Sequence, residues 1–159
     1  RNSCRRIWHN KVKNNLAKPN AKVTTPITST IKALKKLGIK KISIFTPYTK
    51  AINDSIVNYF KKESIIINSL TYFDIASDLD IGKVDENYLF EVLSKIDLKD
   101  SDALFVSCTA LPVLSIIDRL EKKLNKIILS SNQTLIWDAL NLIGNKAPVV
   151  GYGKIFEFN

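Results

Sequence analysis

The 159-residue chain has no methionine, two cysteines, one histidine and no acidic residue before Asp54. Each scarcity excludes something. Cys4 and Cys108 are too few for a disulfide scaffold and lack the paired C-x2-C spacing of a structural zinc site. With His9 as the only imidazole, a His-rich metal site is excluded too, and no metal is expected. No apolar run approaches the roughly 20 residues of a membrane span. The N-terminus has no continuous apolar stretch of the signal-peptide kind. There is no Gly-rich phosphate loop. A reducing, cytoplasmic setting without membrane attachment is the expectation. The absence of methionine extends to the first position, which predicts a processed product or a fragment.

Charge is unevenly placed. The net charge is +9, and every charged side chain before Asp54 is basic. A basic half attracts nucleic acid or small anions. No arginine-aromatic interleaving and no helix-turn-helix frame accompanies it, so we read a solvated lysine-rich face rather than a nucleic-acid surface. Apolar residues make up 45% of the chain and are spread along it, enough for one packed domain.

The elements alternate. "TTPITSTIKALKKLG" carries Ser and Thr caps, Ile31, Leu34 and Leu37 at helical spacing, and Gly38 as a stop. "KKISIFTPY" is a strand that ends at Thr46-Pro47, because proline cannot donate to a ladder. "TKAINDSIVNYFKKE" is a helix with Ile52, Ile56, Val57 and Phe60 on one face. "SIIINSLTYF" is the second strand. A loop and a helix from about Asp85 follow. "DALFVS" is the third strand, residues 112–124 a helix, "KIILSS" the fourth strand and "NQTLIWDALNLIG" the last helix. The tail reads as loop or short extended structure. Asp102 opens the third strand. The strands are continuous apolar runs. This predicts an α/β fold of three layers, a mainly parallel four-stranded sheet with helices on both faces. Residues 1–23 stand apart, with a weak basic helix in "IWHNKVKNNLAK".

In open parallel sheets, ligands sit beyond the carboxyl ends of the strands. Three strand ends carry polar groups: Thr46, Tyr48 and Thr49; Ser107, Cys108 and Thr109; Ser130, Ser131, Asn132 and Gln133. The topology brings them to one edge, where they favour a bound anion, particularly a carboxylate. Bland readings stand beside this. Cys108 fits a small core residue as well as a nucleophile or acid/base group. Tyr48 fits a loop cap as well as a ligand contact. Asn132 and Gln133 are good helix-start residues.

Four segments together resemble a known family. They are "VTTPITSTIKALKKLGIKKISIFTPYTKAIN" (23–53), "SDALFVSCTALPVLSIIDRLEKKL" (101–124), "SSNQTLIWDALNLIG" (130–144) and "GYGKIFE" (151–157). They resemble the aspartate/glutamate racemase superfamily, in the branch of arylmalonate decarboxylase, maleate cis-trans isomerase and the ectoine-utilisation proteins. The resemblance implies two similar α/β halves facing each other across a cleft. This chain then corresponds to the second half: 1–23 a remnant of the first or a basic arm, 24–131 the half-domain, and 132–159 a helix and tail packing toward the other half.

The resemblance implies Cys108 as the catalytic cysteine and Tyr48 as a holder of a substrate carboxylate. Thr109, Thr46, Ser107 and Asn132 complete the implied binding set. Thr109 stands where some members have a smaller residue, and its backbone N–H remains usable. Cys4 lacks the Thr-Ser-Gly frame of the family's first cysteine. The implied function is a cofactor-independent, cysteine-based isomerase (racemase or maleate-type) of a small carboxylate or dicarboxylate. An arylmalonate-type decarboxylase and a non-catalytic anion-binding remnant are the alternatives. No cofactor is implied, a homo-oligomer is left open, and the isolated chain is expected to turn over weakly or not at all.

Overall fold

The computed structural model describes residues 22–158. The expectations for Cys4, His9 and the N-terminal basic helix lie outside them. Four parallel strands, β1 (Lys41–Thr46), β2 (Ile66–Tyr72), β3 (Ala103–Val106) and β4 (Ile127–Ser130), form one sheet in the order β2-β1-β3-β4. The helices are α1 (Pro26–Lys36), α2 (Lys50–Lys62), α3 (Asp78–Ile81), α4 (Glu86–Leu93), α5 (Ile117–Leu124) and α6 (Ser131–Leu142). Short 3-10 helices cover Leu114–Ile116 and Lys154–Phe158.

The chain steps one way from β1 to β2, then back across the sheet to β3 and on to β4. Right-handed crossovers put connections of opposite sense on opposite faces. The core shows this separation. On one face Ile42, Ile44, Ala103, Phe105 and Leu129 pack with Ile31 and Leu34 of α1, Ile56 and Phe60 of α2, and Trp137 of α6. On the other, Phe45, Leu104, Val106 and Ile128 pack with Ile81, Leu89, Leu93, Ile117 and Leu120 from α3, α4 and α5. The three-layer expectation is met. β1 stops at Thr46, before Pro47, as read from the sequence. Asp102 does open β3: its carboxylate accepts from the N–H groups of Lys41 and Lys40 at 2.9 and 3.1 Å. Those bonds hold its pKa below the ordinary 3.8.

Five local readings are corrected. Burial on both faces holds for β1, β3 and the edge strand β4, whereas the other edge strand, β2, has Ile66 and Tyr72 exposed. Its N–H groups at Ile66 and Phe73 both donate inward, to Lys40 and Thr46. Strand alternation requires an even separation for that, so β2 holds one extra residue, seen as a register shift opposite Ile42/Ser43. The buried face of α2 is Asn53, Ile56 and Phe60, and Ile52 is exposed. The segment before Asp85 is not all loop, because Ser77 caps α3. The helix expected over 112–124 becomes α only at Ile117. A tight turn about Pro112, with Val113 N–H donating to the Leu111 carbonyl, comes first.

The tail is loop up to Gly153, as expected, and then a 3-10 helix that buries Ile155 and Phe156. α6 packs on α1 through Thr30 and Thr134 hydroxyls 2.9 Å apart. The Lys32–Asp138 ion pair, at 2.6 Å, lies along the same contact. Ile136 and Ile143 of this C-terminal region remain exposed. Among the described residues, no helix is long and apolar enough to cross a membrane.

Candidate functional site

The direction of winding reverses between β1 and β3, which lie side by side. Loops leaving two such strands part toward opposite faces and open a crevice at the carboxyl edge. The β1 loop carries Tyr48 and the β3 loop carries Cys108. The first turn of α6 arrives at the same edge from β4.

Ser107 continues the ladder, donating its N–H to the Phe45 carbonyl at 2.8 Å. The backbone then leaves the sheet. Cys108 is 3% exposed and belongs to the core cluster of the second face, while Thr109 and Ala110 beside it are exposed. So the bland reading of Cys108 is met in part: its surroundings are substantially apolar. The Ala110 N–H nevertheless donates to Cys108 Sγ, with N···S 3.3 Å. The helix that follows becomes α only at Ile117, after the Pro112 turn, so this contact to the sulfur comes from the loop itself.

Tyr48 is half-buried and packs against both core clusters. Its loop is fixed from below. Thr46 is 0% exposed, donates its hydroxyl to Asn53 Oδ1 at 2.6 Å and accepts from Tyr48 N–H at 3.2 Å. Asn53 Nδ2 then donates to the Tyr48 carbonyl at 2.9 Å. Thr46, expected in the binding set, therefore sits behind the site and braces it. Asn53 escaped the sequence reading, although a polar residue three and seven positions before Ile56 and Phe60 places it on the buried stripe.

Asn132 is also a brace. Its Nδ2 donates to the Thr109 carbonyl at 2.9 Å. Capping of α6 falls to its neighbours: Ser130 Oγ accepts from Gln133 N–H at 3.2 Å and Gln133 Oε1 accepts from Ser130 N–H at 3.1 Å. Gln133 Nε2 reaches on to the Tyr152 carbonyl at 2.6 Å. The β2–α3 loop was not anticipated here. Ile75 N–H donates to the Pro47 carbonyl at 2.8 Å, which lays residues 73–75 beside the Tyr48 loop. Asp74 in this loop has φ +62°.

Comparison with known proteins agrees with the fold. The arylmalonate decarboxylase family model matches residues 8–156. A maleate isomerase from Geobacillus stearothermophilus is 26% identical over 138 residues, 86% of this chain and 55% of the relative. An arylmalonate decarboxylase from Bordetella bronchiseptica is 27% identical over 137 residues, 84% of this chain and 57% of the relative. The chain thus spans little more than half the length of these relatives. Among solved structures, a Nocardia farcinica maleate cis-trans isomerase variant with a covalently bound succinylcysteine intermediate superposes with a TM-score of 0.89. The identity is 18%, over 99% of this chain and 65% of the other. A crystal structure of arylmalonate decarboxylase gives 0.75 at 25% identity, over 84% and 60%.

Proposed function

The chain belongs to the arylmalonate decarboxylase family, and from that premise we propose that it carries the thiol half-site of a cofactor-independent isomerase acting on a small carboxylate or dicarboxylate. One observation carries the reading: Cys108 stands at the switch point between β1 and β3 with a backbone N–H directed at its sulfur. The difficulty in chemistry next to a carboxylate is the negative charge that develops on its oxygens, and convergent N–H and O–H donors answer it. Tyr48, Ser107 and the backbone N–H of the exposed Thr109 are the groups of this chain assigned to that task.

In a cis-trans isomerisation, the Cys108 thiolate forms a bond to one alkene carbon and the π electrons move onto the adjoining carboxylate. The former double bond rotates. The electrons return, the C–S bond breaks and the thiolate is regenerated. In a racemisation, the thiolate removes the proton next to the carboxylate and an acid on the opposite face returns one.

Decarboxylation is the second reading, favoured by the family model itself and by a relative of that activity as similar as the isomerases. There the C–C bond to one carboxylate breaks, CO2 leaves and the Cys108 thiol protonates the enediolate. A non-catalytic anion-binding role follows if only binding survives.

Peptide-resolved alkylation tests the shared premise. Iodoacetate, which carries a carboxylate, is expected to modify Cys108 faster relative to iodoacetamide than it does in urea-unfolded chain, and maleate is expected to protect it. Equal ratios in folded and unfolded chain, with no protection, remove the carboxylate site. Turnover follows from fumarate formed from maleate or CO2 released from an arylmalonate. The isolated chain is expected to be slow or inactive, and a rate equal to that of a full-length relative overturns the half-site assignment.

A further inference from the structure

We infer that Asn132 is a positioning residue for Cys108, acting through a single peptide group. The carbonyl of Thr109 and the N–H of Ala110 belong to one peptide bond, which is planar and rigid. Asn132 Nδ2 donates to the oxygen end of that plane at 2.9 Å. The nitrogen end donates to Cys108 Sγ at 3.3 Å. The amide on α6 and the sulfur are therefore linked in series, with the peptide as a lever between them. Donation into the carbonyl fixes the plane against rotation, and it polarises the N–H at the other end so that it donates more strongly.

Local helix needs do not account for the contact. α6 has its cap and its reciprocal bond from Ser130 and Gln133, so Asn132 adds nothing to closing the first turn. It reaches 23 residues back along the chain instead. The half-buried carboxamide holds the β3 loop from the β4 side of the edge. Asn53 performs the equivalent act on the Tyr48 carbonyl, so each site loop is gripped by an asparagine amide from a helix outside it.

This assignment rests on the reading of Cys108 as the reacting group, yet its test needs no turnover. Rates of Cys108 alkylation by neutral iodoacetamide are measured across pH on the full chain, resolved from Cys4 by peptide mapping. Asn132→Ala and Asn132→Leu are compared with the parent, and urea unfolding midpoints are taken alongside. Tyr48, which packs against the same cluster, and all charged groups are common to the three proteins. Freed from Asn132, the peptide turns and takes its N–H off the sulfur, so the thiolate is harder to form. The midpoint of the pH profile is expected to rise, with alkylation below it slowed about fivefold, the worth of one ordinary hydrogen bond. The plateau at high pH should stay at or above the parent's, because access is not reduced.

Superimposable profiles overturn the proposal. So does one common factor at every pH, which reports access alone, or a slowing that tracks the unfolding midpoint. A failed iodoacetate preference in the parent would instead strike the carboxylate site and leave this lever standing.

Discussion

Asn53 donates its side-chain amide to the backbone carbonyl of Tyr48 across 2.9 Å, from a position in α2 that is 0% exposed. The same carboxamide accepts the Thr46 hydroxyl at 2.6 Å. Both polar atoms of a buried side chain are thus satisfied by the loop they hold, which is what makes their burial tolerable. Asn53→Leu keeps the volume but leaves the Thr46 hydroxyl and the Tyr48 carbonyl without these partners. A loss of about 1–3 kcal/mol per orphaned group is expected, read from urea unfolding. A variant as stable as the parent would mean that the loop finds other partners and that Asn53 does not set the place of Tyr48.

The tail is pinned at Gly153. Its φ of +93° lies where a side chain is rarely accommodated, and an added Cβ would fall 2.6 Å from Ile117 Cγ2 and closer still to Gln133 Nε2. Gly153 N–H also donates to Asp118 at 3.1 Å. Gly153→Ala is expected to lose about 1–3 kcal/mol from the backbone alone and to release Ile155 and Phe156 from the core. Limited proteolysis reads this as early cleavage after residue 150. Equal resistance in the variant would show that the tail docks without the left-handed turn.

Asn53 marks where the sequence stops being legible. β1, β3 and β4 could be read because all three are covered on both faces and run apolar, β4 even as an edge strand, and their carboxyl ends fell where Thr46, Ser107 and Ser130 suggested. Cys108 could be placed at a strand end, but not its depth, since the turn about Pro112 that brings Leu111 and Val113 into the same apolar cluster has no sequence signal of its own. Asn53 drew no reading, and Asn132 fitted a helix-start residue. Their partners are backbone carbonyls, which every residue has and no sequence pattern distinguishes. The anchoring of the tail was invisible for the same reason: Glu121 receives N–H groups from Ile128 at 3.1 Å and Lys154 at 2.9 Å.

Glu121 supplies a pH signature. Burial raises its pKa above the ordinary 4.5, with the N–H groups of Ile128 and Lys154 acting the other way. A carboxyl whose pKa is higher folded than unfolded binds more protons in the native state. Its contribution is therefore greatest below about 4.5 and declines as pH rises through the folded pKa. Urea midpoints for the parent and Glu121→Gln, taken from acid to neutral pH, are expected to diverge in that sense. The parent's stability relative to the variant should fall with rising pH and then level off. The opposite slope would mean that the two backbone donors outweigh burial.

Cys108 poses the sharpest choice, because its 3% exposure suits a core thiol and its strand-end loop suits a reacting one. The two roles separate under substitution. Cys108→Ala deletes one sulfur from the second-face cluster, a loss of roughly 1 kcal/mol on the scale of a buried methylene. For a packing residue that is the whole effect, and carboxylate binding survives it unchanged. For a reacting residue, stability moves by the same small amount while turnover of maleate or an arylmalonate disappears wherever the complete site is assembled. Cys108→Ser discriminates further. It keeps the size and a weak acceptor for the Ala110 N–H, but its hydroxyl ionises far less readily than a thiol. A serine variant that folds like the parent, binds maleate and turns nothing over assigns the chemistry to the sulfur. One that retains parent-like turnover takes the chemistry away from this loop and leaves Cys108 to the core.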